Sequence, residues 1–180
     1  PVYTEKDSPE DTVWVYTYGL DLTKYELGSP DIKLAGAEFS LQKGSTDVYF
    51  KADGESYITI TPGTGGYIVG PAEDGTYTAS LTVNGETKTV AGLTKTVITP
   101  QGGKLVIKGL GEGNYTWKEE KAPEGYYKVG RGETNFTITG KKDSEGLYTG
   151  NVIQSDGNVN NELINLYKLE VANSTTYTLP

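Results

Sequence analysis

Tyr115-Thr-Trp-Lys-Glu-Glu-Lys-Ala-Pro-Glu-Gly-Tyr126 is the stretch that decides how this 180-residue chain is read. Side chains alternate across a strand, so Tyr115, Trp117 and Glu119 share one face while Thr116, Lys118 and Glu120 share the other. Two large aromatics mark the first face as the buried one, and Glu119 is carried inward with them. A carboxylate in apolar surroundings needs a partner or a proton. Glu120, on the polar face, reads as an ordinary exposed strand residue. Pro123-Glu-Gly125 then ends the strand in a turn.

Two other segments carry the same irregularity. From Thr12 to Lys24 the chain alternates, with Trp14, Tyr16, Tyr18, Leu20, Leu22 and Lys24 on one face. Near the end, Leu163, Asn165, Tyr167, Leu169, Val171 and Asn173 share a face of a final strand running from Leu163 to about Asn173. Lys24, Glu119 and Asn173 are thus polar residues closing apolar stripes, a local inconsistency of the kind that marks functional sites. Taken singly, each has a plainer reading: a lysine snorkelling from a strand end, an exposed glutamate, an asparagine in a turn.

The rest of the chain reads as strands and turns. It holds 24 Gly and 14 Tyr, and no segment has the three-and-four spacing of an amphipathic helix. Pro1 to Glu10 is polar and aperiodic, so residues 1–11 are expected to be a tail or linker. Ser29-Pro-Asp31 is expected to be a turn, and Glu38–Gln42 a short strand. Residues 44–100 read as a meander broken by Asp53-Gly54, Pro62-Gly-Thr-Gly-Gly66, Asp74-Gly75 and Asn84-Gly85, the last being the strongest hairpin signal. Strands are expected at 104–108, 114–121 and 135–139. The predicted class is an all-β antiparallel sandwich.

Composition removes several function classes. The chain has no Cys and no His, which excludes disulfides, thiolate nucleophiles and the serine and cysteine triads. A net charge of −8 disfavours nucleic acid, which needs clustered Lys and Arg. No apolar run is long enough to span a membrane, and no signal peptide is recognisable. The absence of Met indicates a fragment or a processed product. No phosphate loop or calcium loop is present, so no cofactor and no metal are expected.

The stretch Tyr-x-Trp-x-Glu-x-x-Ala-Pro-x-Gly-Tyr over residues 115–126 resembles the E-box of Gram-positive pilin subunits and collagen-adhesin B-type (CnaB) domains, where leucine is more usual at the Trp117 position. Gly103-Lys-Leu-Val-Ile-Lys-Gly-Leu-Gly-Glu-Gly113 and Leu34-Ala-Gly-Ala-Glu-Phe39 extend the likeness across the chain. The resemblance implies an immunoglobulin-like CnaB sandwich over residues 12–176 with an inserted meander at about 44–100; a two-domain split near residue 100 is the alternative. It also implies that Glu119 catalyses an isopeptide bond between Lys24 and Asn173, with Asn165 the runner-up acceptor. Asn173 is preferred because Val-Ala-Asn173, closely followed by Leu179-Pro180, resembles the family's last strand before its sorting signal. Residues 177–180 look like the start of that truncated signal, whose remaining residues are absent, as is a Tyr-Pro-Lys pilin motif.

The function expected from this resemblance is that of the C-terminal domain of a sortase-anchored pilus protein on the Gram-positive cell wall, joined through sortase to other pilin subunits. The glutamate acts once per molecule, so the domain is not a turnover enzyme. The competing reading is an adhesin module that binds a host matrix protein or glycan through residues 44–100.

Overall fold

Strands, with no helix among them, build all of the regular structure in the described residues, which in this computed structural model are 2–5, 12–15, 17–153 and 166–176. In chain order they are β1 (Val2–Glu5), β2 (Thr12–Val15), β3 (Tyr18–Glu26), β4 (Ser29–Lys33), β5 (Glu38–Lys43), β6 (Thr46–Asp47), β7 (Tyr49–Asp53), β8 (Ser56–Ile60) and β9 (Tyr67–Val69). They continue as β10 (Tyr77–Val83), β11 (Glu86–Leu93), β12 (Thr96–Ile98), β13 (Lys104–Leu110), β14 (Gly113–Lys121), β15 (Tyr127–Lys128), β16 (Glu133–Lys142), β17 (Tyr148–Ile153) and β18 (Leu166–Ser174).

Two sheets face each other. The first runs β15-β18-β3-β13-β8-β7, with β4 paired to β3; the second runs β12-β5-β14-β16-β17, with β6 paired to β5. Their inward faces meet in one apolar cluster, to which the first contributes Tyr18, Leu20, Leu22, Leu105 and Ile107 and the second Phe39, Leu41, Tyr115, Trp117, Phe136 and Ile138. Phe39 stacks on Trp117 at 4.9 Å between centroids and Tyr115 on Phe136 at 5.4 Å. Full burial of each such side chain stabilises by roughly 1.5–3 kcal/mol, which is why period-two alternation alone locates this core.

Most pairings are antiparallel, as expected. Two are parallel: β13 with β8, and the first strand of the sandwich, β3, with the last, β18. In the second case Val171 lies opposite Lys24 and Asn173 opposite Glu26. The Asn84-Gly85 signal forms the β10–β11 hairpin, with positive φ at both residues (51° and 78°), the backbone twist a two-residue hairpin turn requires.

The structure departs from the sequence reading in three places. The alternating run from Thr12 to Lys24 is two strands, and β2 pairs with β1, which lies inside the expected tail, in a two-stranded ribbon of its own. Ser29-Pro-Asp31 is not a turn but the start of β4; the turn is Leu27-Gly28, with Gly28 at φ 84°. Pro30 is tolerated because β4 pairs with β3 alone, and a strand at a sheet edge can lack a donor. Finally, the strands of residues 44–100, expected as one inserted meander, are divided among three sheets. β7 and β8 extend the first sheet, β12 joins the second, and only β9, β10 and β11 form a separate three-stranded sheet.

Candidate functional site

Lys24, Glu119 and Asn173 converge at one place between the sheets, each with no exposed surface. Alternation along β3 buries Tyr18, Leu20, Leu22 and Lys24 in turn. On β14 it buries Tyr115, Trp117 and Glu119. On β18, Leu169 and Val171 pack on the core and Asn173 closes the stripe. Lysine and asparagine therefore come from neighbouring parallel strands of one sheet, and the glutamate reaches across from the other.

The backbone around each residue is held separately. The N–H of Lys24 donates to the Gly103 carbonyl (2.8 Å), and its own carbonyl accepts from Leu34 (3.0 Å). Gly103, at φ 68°, lies so close that a Cβ there would come within 2.6 Å of the Lys24 carbonyl oxygen. The β14–β5 ladder bulges between Glu119 and Lys121, leaving Glu119 the last inward residue. Its N–H turns away to donate to the Gly132 carbonyl (2.8 Å), and a Cβ on Gly132, which has φ 69°, would come within 2.9 Å of the Lys128 side chain.

At the centre, Asn173 Nδ2 donates to Glu119 Oε2 at 2.9 Å and to the Tyr127 carbonyl at 3.0 Å. Lys24 Nζ lies 3.6 Å from Glu119 Oε1, an ion-pair rather than a hydrogen-bond distance, and donates to the Val171 carbonyl at 3.2 Å. Asn173 Oδ1 has no hydrogen-bond partner among the described residues. Burial dominates the electrostatics. It pulls the Lys24 ammonium down from its ordinary value to about 8, against the opposing pull of Glu119. It pushes the Glu119 carboxyl up, although Lys24, Asn173 and Lys128 all favour its ionised form. Both shifts disfavour charge, moving the amine and the acid toward their neutral forms.

Asn165, the runner-up acceptor, lies outside the described residues. Glu120 is exposed, accepting from Ser40 Oγ at 2.6 Å and lying 3.3 Å from Lys118. Reading the sequence missed four contacts: the Val171 and Tyr127 carbonyls, Lys128 Nζ on the Glu119 carbonyl at 3.2 Å, and Tyr126 OH on Glu26 Oε2 at 2.7 Å. Three of these end on main-chain carbonyls, which leave no mark on residue type. The Tyr127 and Lys128 contacts also depend on β15 lying beside β18, with Lys128 opposite Asn173, a register no local pattern encodes.

A separate cleft of about 390 Å³ lies near the other end of β14, lined among others by Tyr49, Ile60, Ile68, Leu110 and Tyr115. Among the described residues no cluster of carboxylates suits a metal ion.

Comparison with known proteins places this architecture. Residues 20–152 match the sequence profile of the SpaA prealbumin-like fold domain, nearly three-quarters of the chain and a span that includes both Lys24 and Glu119. The chain belongs to that family. Among solved structures, this SpaA-type domain resembles the minor pilin GBS52 of Streptococcus agalactiae, at 21% identity over 92% of the chain and 47% of that protein, with a TM-score of 0.50. Others are the group B streptococcus pilus 2b backbone protein (20% identity, 95% and 46% covered, TM-score 0.47) and the shaft pilin SpaA of Lactobacillus rhamnosus GG in its D295N form (15%, 94% and 51%, 0.45). At such identities the likeness is one of fold, a pilin-type β-sandwich. The chain spans about half the length of each of these pilins. No curated protein matches the sequence.

Proposed function

We propose that this domain is a load-bearing module of a Gram-positive surface pilus, covalently locked by an isopeptide bond that forms between Lys24 and Asn173 under catalysis by Glu119. The observation that carries the reading is the burial together of an amine, a carboxyl and a carboxamide, with Glu119 hydrogen-bonded to the amide nitrogen that would leave.

The reaction balances within these three side chains. A proton passes from the Lys24 ammonium to Glu119, leaving a neutral amine and a neutral acid. Nζ then attacks Cγ of Asn173, and charge develops on Oδ1. Glu119 relays a proton from Nζ to Nδ2, the Cγ–Nδ2 bond breaks, and ammonia departs. Glu119 ends as the neutral acid, holding the proton first taken from the Lys24 ammonium, and the new amide joins β3 to β18. Holding amine and amide together in a dry core replaces an encounter in solution, an advantage of up to about 7–11 kcal/mol for well-aligned groups. The event occurs once, consistent with a structural rather than an enzymatic role.

The topology supports a mechanical role for such a bond. Because β3 and β18 are parallel neighbours, tension applied at the N-terminal side of β3 and the C-terminal side of β18 shears their ladder. With a bond at Lys24 and Asn173, load enters β3, crosses at the site and leaves through β18. Residues 25–172 are shielded. Stretching single molecules by their termini tests this. The locked domain should yield none of the roughly 500 Å that a segment of this length releases at about 3.3–3.6 Å per residue. Release of that full length from the wild-type chain would refute the mechanical role.

Cell-wall location and sortase linkage to neighbouring subunits belong to the same proposal and rest on the family resemblance. The cleft at Tyr49 and Tyr115 keeps a second reading open, since its size suits a small ligand and residues 44–100 supply much of its wall. Binding of the isolated domain to a glycan array or to matrix proteins, lost in Tyr49→Ala, would support an adhesin role; no binding to either would remove it.

A further inference from the structure

Three consecutive residues after the proline turn each touch a different strand of the site. Tyr126 OH donates to Glu26 Oε2 on β3, the Tyr127 carbonyl accepts from Asn173 Nδ2 on β18, and Lys128 Nζ donates to the Glu119 carbonyl on β14. The segment is a strap across the open end of the triad. Lys128 is its only charged member. It stands opposite Asn173 in the β15–β18 register, and its stem packs where Gly132 leaves room beside Glu119.

We propose that Lys128 is a positioning residue for the crosslinking reaction: it pins the end of the glutamate's strand through the main-chain carbonyl of Glu119 and brings a second positive charge to that residue. This rests on the reading of the triad as an isopeptide site. The charged groups acting on Glu119 are then Lys24 from β3 and Lys128 from β15, with Asn173 of β18 its neutral hydrogen-bond partner. Lys24 is consumed by the reaction, whereas Lys128 is not. Both cations favour the ionised carboxylate, so removing Lys128 lets Glu119 hold its proton to a higher pH.

The rate of crosslinking against pH tests the idea. With a reactive state of neutral Lys24 and protonated Glu119, the acid-side break of the profile follows the glutamate and the alkaline break follows the lysine. Chain recovered unfolded in urea from inclusion bodies starts at full mass. After refolding by dilution at pH 4 to 10, loss of ammonia is followed by intact mass. Lys128→Met and Lys128→Gln should each move the acid-side break upward by about half a pH unit or more, and Lys128→Arg should restore the wild-type position. The alkaline break should stay in place. A lysine that merely stabilised the fold would lower the thermal midpoint and leave the breaks unmoved, and that result would overturn the inference while the crosslinking reading stands. Refolded wild-type chain that keeps its full mass would overturn both.

Discussion

Glu119→Gln changes one atom and should abolish the covalent lock while leaving the fold. Glutamine keeps the volume beneath Trp117 and still accepts a hydrogen bond, but it neither receives the Lys24 proton nor returns it to the leaving nitrogen. The chain should therefore retain its full mass. The stability lost has two parts. Closing a loop of about 150 residues in the unfolded chain is worth about 5 kcal/mol in the chain-entropy treatment. The Lys24 ammonium, with no exposed surface, also loses its only carboxylate within ion-pair distance among the described residues. Breaking a buried pair by removing one partner costs about 3–5 kcal/mol, part of which the glutamine carbonyl offsets. The loop term alone corresponds to a fall in thermal midpoint of about 10–20 °C for a domain of this size, so the observed fall should be at least that. Differential scanning calorimetry on wild type, Glu119→Gln and the double variant Lys24→Met/Glu119→Leu separates the parts. The double variant also lacks the bond but buries no charge, so it should regain about 1–4 kcal/mol over Glu119→Gln. If Glu119→Gln still lost ammonia, or if its midpoint matched the wild type, the catalytic role of the glutamate would be refuted.

The same geometry yields two other predictions. In Asn173→Ala, which cannot crosslink, Lys24 and Glu119 remain titratable, and burial penalises each charged form. Lys24, lowered to about 8 from an unfolded value of 10.5, penalises the fold fully below pH 8 and not at all above 10.5, so stability should rise by on the order of 1 kcal/mol from pH 8 to 9. Glu119, raised above its unfolded 4.5, adds the opposite slope on the acid side, so stability should also rise as pH falls toward 4.5. Urea midpoints across pH 4.5–9.5 should trace a trough near neutrality in this variant, and the wild type, its lysine converted to an amide, should lack it. Trp117→Ala should cost about 3–5 kcal/mol by urea denaturation, because the indole is buried and stacked on Phe39 at 4.9 Å; a loss under about 1 kcal/mol would mean that the sheets do not pack through this pair.

How much of this could be read from the sequence depended on whether the determinant was local. Period-two alternation marked the buried faces of β3 and β14 because each inward residue there is apolar until the last, and those last residues are Lys24 and Glu119. The β10–β11 hairpin was legible because Asn84-Gly85 is what a turn of positive φ demands. The parallel pairing of β3 with β18 was not legible, since register between strands at opposite ends of the chain is set by the whole fold. The split of the 12–24 run was hidden because both parts alternate in phase. Pro30 signalled a turn one step away from the real one, where Gly28 takes positive φ and the proline itself sits at a sheet edge. The strap at 126–128 escaped because a carbonyl acceptor carries no residue signature and Lys128 resembles any other surface lysine.

The central claim is the covalent bond, and the intact mass of the purified wild-type chain, followed by mapping of its proteolytic peptides, tests it most directly. The account predicts a mass short by one ammonia and a branched peptide joining the Lys24 segment to the Asn173 segment. A full mass with both segments recovered as separate linear peptides would contradict it.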